Sequence, residues 1–280
     1  MQLRREEIDK FHETIWDYYR DQGRHDLLWR QPDAEGRFDP YKILVSEMML
    51  QQTQVSRVLP KYVQFLRKYP AVHDLSRATL ADVLAEWQGL GYNRRAKFLW
   101  QAAQLIDGMQ AFPETSEELV KLPGIGLNTA AAVLVYSFNQ PLTFIETNIR
   151  TVFIHHYYQD DVDVADKDIL ALVSQTIDKE HPREWYWALM DYGSYLKATV
   201  GNISRLSKSY TKQSSFVGSN RQIRGMVIRT LIGSKQTKSE LEAIVQDERL
   251  ATVLVQLQTE DLIRYDGTYY VLGTRSNMLQ

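Results

Sequence analysis

The chain of 280 residues carries 33 basic and 35 acidic side chains, has a formal net charge of −2 and contains no cysteine. This length fits one large domain or two to three small ones, and a hydrophobic content of 44% is enough for a sizeable core. The composition excludes disulfides, a thiol nucleophile and a thiolate-held metal cluster, and no run of about 18 apolar residues is present for a membrane span. Because the N-terminal segment MQLRREEIDK is charged and lacks the apolar stretch of a signal peptide, we expect a cytoplasmic protein.

Helical patterns dominate most of the chain. Residues 5–20 place Phe11 and Ile15 on one apolar side of an amphipathic helix. Asp39 and Pro40 form an N-cap and first-turn pair ahead of a helix that we expect to end near Gln52. The same periodicity predicts further helices near residues 56–68, 79–88, 94–108, 115–121, 128–138, 147–157, 166–179 and 183–197.

The tail from residue 214 has a different pattern. Helical stretches near residues 221–232, 237–246 and 249–259 precede the segment LIRYDGTYYVL, in which the pair Asp266-Gly267 predicts a β-hairpin. Three helices followed by a hairpin are typical of a winged-helix-like module. Its third helix has Arg249 as its only basic residue, so packing and DNA-groove reading both stay open as its role.

A glycine-containing turn opens the most informative segment, LPGIGLNTAAAVLVYSFNQPLTFIETN, which spans residues 122–148. Gly124 and Gly126 follow Pro123 and precede an apolar helical run. Such a turn exposes backbone N–H groups at a helix N-terminus, where the helix dipole favours an anion. It can therefore bring the backbone close to a DNA phosphate without reading any base, although a mere tight turn has the same pattern.

Four segments in order carry a resemblance to a known family. LPGIGLNTA resembles the helix-hairpin-helix of the DNA glycosylase superfamily that includes endonuclease III and MutY, and FIETNIRTV resembles the catalytic segment of that superfamily. DPYKILVSEMMLQQTQV and WQGLGYNRRA resemble the MutY family of adenine glycosylases more closely than endonuclease III. The segment FVGSNRQIRG further resembles a stretch found in some MutY-like proteins, and the whole resemblance covers roughly residues 25–230.

The resemblance implies a mainly α, two-lobed helix-hairpin-helix glycosylase fold with a small C-terminal winged-helix-like α/β module. Residues 36–137 would form a six-helix barrel domain that includes the helix-hairpin-helix. Residues 1–35 and 138–213 would form the second lobe, and residues 214–280 the C-terminal module.

Cleavage of an N-glycosidic bond requires that the base be extruded from the duplex, that the leaving purine be protonated and that a cationic sugar be stabilised. Two carboxyl groups in different environments perform such work in glycoside hydrolysis. Glu47 lies within an apolar helical run, where burial should raise its pKa, and by resemblance it matches the MutY acid that protonates adenine. The alternative is a glutamate on a polar helix face.

Further site residues come from the resemblance alone. Gln52 and Thr53 match MutY positions that wedge into the base stack and contact the base opposite adenine. Leu90 and Tyr92 match minor-groove and intercalating positions, although core packing is the alternative for both. The remaining matches are two pocket residues, Arg30 and Asn148.

A basic stretch adds a candidate DNA-binding surface. No Asp or Glu lies between Tyr192 and Ser239, whereas the stretch contains Lys208, Lys212, Arg221, Arg224 and other basic residues. A local positive field can attract a phosphate backbone whatever the total charge, although an ordinary solvated face is the alternative.

Three positions depart from the family pattern. Glu146 occupies the position of the superfamily's catalytic aspartate, and a misplacement by about 1 Å can cost roughly a hundredfold in rate. Asn128 occupies the position of the Schiff-base lysine of bifunctional relatives, so we expect hydrolysis by water rather than β-elimination. MutY proteins usually carry four cluster cysteines spaced C-x6-C-x2-C-x5-C, and the side chains present here at that spacing are Lys197, Ser204, Ser207 and Gln213.

None of those four side chains supplies a thiolate, so we expect no iron–sulfur cluster. His155 and His156 are adjacent rather than spaced as metal ligands on one helix face, so no metal site is expected there. The one bound ion that the sequence still allows is a monovalent cation held weakly at the helix-hairpin-helix.

The predicted function is that of a monofunctional, MutY-like DNA glycosylase acting on adenine opposite 8-oxoguanine or guanine. A glycosylase for thymine or uracil opposite guanine, and a catalytically weak DNA-damage binding protein, are the alternatives. No domain of the kind that senses 8-oxoguanine is evident after Gln213, so discrimination of the opposite base would fall on Gln52, Thr53 and Leu90. We expect a monomer that binds double-stranded DNA, is associated with the bacterial nucleoid and does not bind membranes.

Overall fold

The structure is a computed structural model that describes residues 1–159, 161–213 and 215–273. The chain divides into two compact units. Unit one comprises residues 1–43, 114–121 and 125–212, and unit two comprises residues 44–113, 122–124 and 213–280. Ser214 and residues 274–280, which belong to the predicted C-terminal module, lie outside the described residues.

The described chain is mainly helical, as the sequence predicts. In chain order the helices are α1 (Arg5–Gln22), α2 (Pro40–Leu50), α3 (Val55–Lys68), α4 (Val72–Ser76), α5 (Leu80–Glu86), α6 (Arg94–Asp107), α7 (Ser116–Leu119), α8 (Leu127–Phe138), α9 (Thr147–Tyr157), α10 (Asp166–Thr176), α11 (Pro182–Thr199), α12 (Asn220–Gly233), α13 (Lys238–Val245) and α14 (Leu250–Thr259). Two 3-10 turns, Leu28–Arg30 and Ile203–Leu206, were not predicted, nor was the five-residue α4. Strands β1 (Ile263–Tyr265) and β2 (Tyr270–Leu272) form the predicted antiparallel hairpin, with Arg264 opposite Val271.

Unit one is organised by the close packing of α11 on α9, with α1 against α11. A Cβ atom at Gly193 of α11 would lie 2.7 Å from the carbonyl carbon of Asn148 at the start of α9, so only glycine permits this approach. The fully buried ring of Trp185 stacks edge-on against Phe11 at 5.8 Å and holds α1 to the same core. This packing fixes the N-terminal turn of α9, which carries the catalytic segment predicted from the sequence.

Unit two joins α3–α6 to the C-terminal module. Helix α12 packs against α5, α14 and β2, and it buries Ile223, Val227 and Ile228. The Lys97 ammonium of α6 donates hydrogen bonds to the Glu260 carbonyl at 2.7 Å and to the Asp261 carboxylate at 3.0 Å. Residues 215–273 therefore belong to one packed unit with the helices that precede them.

Within the three described ranges, no helix is both long enough and apolar enough to cross a membrane.

Candidate functional site

The N-terminus of α9 carries the predicted catalytic carboxylate of unit one. Glu146 is the N-cap residue of α9, and its side chain is half-buried. Burial raises the pKa of Glu146, while the positive charges of Arg150 and Lys197 act in the opposite direction. Glu146 therefore lies where its charge depends on two neighbouring cations.

The two cations near Glu146 have different partners. Arg150 forms a bidentate ion pair with Asp166, at 2.9 Å from Nε and 2.8 Å from Nη2. The hydrogen bond from Arg150 holds the pKa of Asp166 below its usual value. Lys197 Nζ instead donates to Asn148 Oδ1 at 2.7 Å, and burial lowers the pKa of Lys197 to about 8. Asn148, a predicted pocket residue, is thus oriented by Lys197.

The side chains at the cluster-cysteine spacing do not fit an iron–sulfur cluster, because none is a thiolate. Lys197 is bound to Asn148, and the Ser204 hydroxyl, which is buried, donates to Asn202 Oδ1 at 2.5 Å. The buried Ser207 hydroxyl donates to Asp166 Oδ1 at 3.5 Å. These three positions of unit one hold polar hydrogen bonds instead of metal ligands. Among the residues that the structure describes, no group of His, Cys, Asp and Glu is arranged to hold a metal ion.

Arg30, the other predicted pocket residue of unit one, forms a buried bidentate ion pair with Asp191. Both Nη–Oδ distances are 2.8 Å, and Arg30 is 7% exposed. Burial works against the charge of Asp191, but the guanidinium groups of Arg30 and Arg24 outweigh it and hold its pKa below the usual value. The structure therefore gives Arg30 a charge-pairing contact within the core, and a substrate contact by Arg30 stays a prediction.

The two glycines of the hairpin turn and Asn128 have different surroundings. Gly124, in unit two, has φ of 76°, and a Cβ there would lie 2.7 Å from Phe98, so both backbone and packing require glycine. A Cβ at Gly126, in unit one, would have no atom within 4 Å. Asn128 is exposed, and its Oδ1 accepts a hydrogen bond from the Ile145 backbone N–H at 3.5 Å.

Helix α2 carries Glu47 in unit two. Its neighbours Ser46, Met48 and Met49 are buried, and Glu47 itself is half-buried. The sequence predicts that this carboxyl group is buried, and the structure places it half-buried between buried neighbours. Its role as an acid stays a prediction.

Arg95 of α6, which the sequence analysis missed, organises both predicted DNA-probing loops of unit two. Its Nη1 donates to the carbonyls of Met48 at 2.9 Å and Met49 at 3.0 Å, at the C-terminus of α2. Its Nη2 donates to the Thr53 hydroxyl at 3.0 Å and to the Leu90 carbonyl at 3.2 Å. Burial lowers the pKa of Arg95 to about 10. The available signal was an arginine on the apolar side of an amphipathic helix.

Replacing Arg95 with Met is expected to lower the free energy of unfolding by about 3 kcal/mol, because several buried carbonyls lose a charged donor. The neighbouring Arg94 is exposed, so Arg94→Met is the matched control and should change stability by less than about 0.5 kcal/mol. Urea denaturation of both variants measures this. Equal stability of the two variants would contradict the organising role of Arg95.

The predicted intercalating residues lie on strained backbone held by these contacts. Gln52 and Tyr92 have φ of 55° and 48°, a left-handed conformation that is unfavourable for residues with a side chain. Leu90 is 2% exposed, so the alternative of core packing describes it in this structure. The Tyr92 hydroxyl receives hydrogen bonds from Gln213 and, at 3.0 Å, from Arg221 Nη1.

A cavity of about 980 Å³ lies in unit two among these loops and the C-terminal module. It is bordered by Gln52, Tyr92 and the exposed ring of Phe216. Its charged lining residues are mainly arginines, namely Arg57, Arg94, Arg95, Arg221, Arg224 and Arg229. Arg224 is neutralised by an ion pair with Glu260, the one acid in the lining. Within the described residues, neither Arg57 nor Arg229 forms an ion pair, so this cavity carries net positive charge.

Part of the predicted basic stretch is exposed. Lys208 and Lys212 of unit one and Arg229 of unit two are all exposed. Arg221 is half-buried against Tyr92, with its guanidinium 5.6 Å from the ring centroid. The stretch thus contains exposed cations as well as cations with partners, among them Arg221, which contacts a predicted probe residue, and Arg224, which is paired with Glu260.

Comparisons with known proteins show the family to which this chain belongs. Residues 45–176 match the model of the HhH-GPD superfamily of base excision DNA repair proteins. An adenine DNA glycosylase of Mycolicibacterium smegmatis is 30% identical over 281 residues, which cover 90% of this chain and 93% of that protein. The chain belongs to the adenine DNA glycosylase family.

Other members of the adenine DNA glycosylase family are matched over a smaller share of their length. The Buchnera aphidicola subsp. Baizongia pistaciae enzyme is 33% identical over 220 residues, covering 74% of this chain and 60% of that protein. The alignments to several further curated relatives cover between 36% and 56% of those proteins. Among solved structures, a thermostable thymine-DNA glycosylase has a TM-score of 0.58 at 23% identity, with 68% of this chain and 87% of that chain covered. That likeness shows the helix-hairpin-helix glycosylase fold.

Proposed function

We propose that this protein is a monofunctional DNA glycosylase of base excision repair that excises adenine mispaired with 8-oxoguanine or guanine. The observation that carries the proposal is Glu47, which stands on α2 among buried neighbours at the position that matches the family's adenine-protonating acid. Pyrimidine excision has no purine N7 to protonate, so retention of this carboxyl group favours adenine over thymine or uracil.

In the proposed reaction, adenine is extruded from the duplex, and Glu47 protonates the leaving base. The C1′–N9 bond breaks as positive charge develops on the sugar, and the Glu146 carboxylate stabilises that charge. Asn148, which is oriented by Lys197, is the proposed pocket residue next to Glu146. Water then adds to the sugar and leaves an abasic site, because the Asn128 amide cannot form an imine.

Two separate features are proposed to contact DNA, the backbone at the hairpin turn and the cationic groups of unit two. Gly126 leaves open space beside the N-terminus of α8, which suits close approach by a phosphate. The cationic cavity of unit two is bordered by Gln52, which is predicted to contact the base opposite adenine, and by Tyr92, which matches a minor-groove or intercalating position. Aromatic rings and arginines together are the side chains that stack on bases and bind phosphates.

A single-turnover assay on a panel of mismatched duplexes tests the proposal. We expect excision of adenine opposite 8-oxoguanine or guanine, without strand cleavage. Excision of thymine or uracil opposite guanine, and not of adenine, would show that the proposed substrate is wrong. Tight mismatch binding without excision on any duplex would support a damage-binding protein instead.

We further propose that the enzyme acts as a monomer on mismatched double-stranded DNA and without an iron–sulfur cluster. Gel filtration with light scattering measures the first point. Purified protein should be colourless, and elemental analysis should find no stoichiometric iron, because no thiolate is available in the chain.

The exposed part of the basic stretch is expected to bind phosphates irrespective of sequence. Replacing Lys208, Lys212 and Arg229 together with Ala should weaken binding to matched and mismatched duplexes alike. For every cation that binds a phosphate, its replacement should flatten the slope of log affinity against log salt by roughly one unit. Replacing three other exposed lysines, Lys10, Lys167 and Lys179, is the charge-matched control. If both triple variants show the same affinity and slope, the basic stretch is an ordinary solvated face.

A further inference from the structure

Lys197 occupies the first of the cluster-cysteine positions and contacts the proposed active site of unit one. Its Nζ lies 2.7 Å from Asn148 Oδ1, and the side chain is half-buried near the C-terminus of α11. Because Glu146 and Asn148 lie within the first turn at the start of α9, the ammonium charge acts on the Glu146 carboxylate. An ordinary surface lysine would be solvated, whereas this lysine is held inside the network.

Of the two cations near Glu146, Arg150 is ion-paired with another carboxylate and Lys197 is not. Arg150 is paired with Asp166, and Asp166 also accepts a hydrogen bond from Ser207. The Ser207 segment is anchored by backbone hydrogen bonds from Val164 N–H to the Leu206 carbonyl at 2.9 Å and from Lys208 N–H to the Val164 carbonyl at 3.0 Å. Within the described part of unit one, Lys197 forms no ion pair with a carboxylate, so its charge is available to Glu146.

We propose that Lys197 is a positioning residue of the proposed active site, which orients the Asn148 amide and supplies the positive charge that keeps Glu146 ionised. The inference rests on the proposed function of Glu146. Lys197 thus performs an electrostatic role from a position where cluster-bearing relatives hold a metal ligand.

A pH dependence follows from these charges. Burial raises the pKa of Glu146, so its ionised form requires a nearby cation. Burial also lowers the pKa of Lys197 to about 8, so this cation is present at neutral pH and disappears as the pH rises through that value. The excision rate should therefore fall on the acid side as Glu146 is protonated, and the position of this acid limb should depend on the charge of Lys197.

Several other titratable groups lie on α9 and on the elements packed against it, and among them the Nε2 atom of His156 is buried without a hydrogen-bond partner. Asp191 of α11 is paired with Arg30 and Arg24, and Arg183 of α11 donates to the carbonyls of Tyr136 and Ser137. The remaining groups are His155 and His156 on α9, Glu184 on α11, Lys167 and Asp168 on α10, and Arg205 in the 3-10 turn. Burial lowers the pKa of His156 to about 4, which places its titration below the pH range over which excision is compared.

The experiment compares Lys197→Met and Lys197→Arg with the parent in single-turnover excision between pH 5.5 and pH 9.5. In Lys197→Met, the acid limb should move upward by about one pH unit and the rate at pH 6 should fall about tenfold, because an opposite charge near a carboxylate shifts its pKa by one unit or more. Lys197→Arg should keep the acid limb of the parent, because a guanidinium stays charged. Lys179→Met, at an exposed position of unit one, should reproduce the parent profile.

A second measurement does not depend on turnover. Carbon-13 NMR of the Glu146 carboxyl group, assigned with Glu146→Gln, should show its pKa raised by about one unit in Lys197→Met. An unchanged Glu146 titration together with an unchanged rate profile in Lys197→Met would overturn the role of Lys197 while leaving the proposed function intact. A shifted Glu146 titration in a protein that excises no base would instead support the electrostatic role and overturn the proposed function.

Discussion

Glu47→Gln is expected to reduce adenine excision by at least about a hundredfold, because general acid catalysis contributes about 10²- to 10⁴-fold and an amide cannot donate a proton to the leaving base. The substitution keeps the size and shape of the side chain, so the packing of α2 should be unchanged. Single-turnover rates on adenine opposite 8-oxoguanine, with enzyme in excess, measure the chemical step directly.

The controls for Glu47 separate chemistry from binding and folding. Glu47→Gln should bind matched and mismatched duplexes nearly as tightly as the parent, and its thermal unfolding should be similar. Glu117→Gln, at an exposed position of α7, removes an equal charge and should keep the parent rate. Retained single-turnover activity in Glu47→Gln would remove Glu47 from the mechanism and, with it, the argument for adenine as the substrate.

Glu146→Gln is expected to lower the excision rate by at least about a hundredfold, because electrostatic stabilisation of a developing charge is commonly worth about 2.7–4 kcal/mol for a single contact. The structure places this carboxylate at the N-cap of α9, within the field of Arg150 and Lys197. Because Arg150 is paired with Asp166, removing the charge of Glu146 leaves the Lys197 ammonium uncompensated at the site where a cationic sugar must form. The excision rate of Glu146→Gln should therefore fall by more than the loss of the stabilising carboxylate alone would cause.

Glu146→Asp, which restores the residue usual in the superfamily, is the sharper probe of this position. It withdraws the carboxylate by one methylene from a network that includes the Lys197–Asn148 hydrogen bond. If the site is shaped around the longer side chain, aspartate should lower the rate, and this is the result that we expect. A faster Glu146→Asp enzyme would identify Glu146 as a degraded aspartate. Full activity of Glu146→Gln on every duplex would exclude the proposed mechanism.

The positions of the helices were predictable because their signals are local. Asp39-Pro40 starts α2 as predicted, and the helix ends at Leu50, two residues before the predicted boundary at Gln52. The φ of 55° at Gln52 explains the difference, since a left-handed residue cannot continue the helix. The unpredicted α4 buries one side chain, Leu75, and five residues are too few for a periodic pattern to be recognised.

The family and the candidate catalytic residues were also accessible from sequence, because they rest on ordered segments with defined spacing. The carboxylates Glu47 and Glu146 could each be recognised at a single position. The absence of cysteine could be read from the sequence as a whole. The hairpin glycines could also be recognised in this way. Only the surrounding atoms show that Gly124 is packed against Phe98 whereas Gly126 faces open space.

The partners of the site residues were decided only by the tertiary structure. Arg95 reaches carbonyls more than 40 residues away, Lys197 reaches Asn148 across 49 residues, and Arg221 reaches Tyr92 across 129. Such contacts depend on how helices pack, and their sequence separation leaves no periodic signal. The sequence by itself therefore determined the helices, the family and the reactive groups of this protein. The packing of α11 on α9, and of α12 beside the probe loops, decided which charges act on those groups, because Coulomb energies depend on distance and burial rather than on order along the chain.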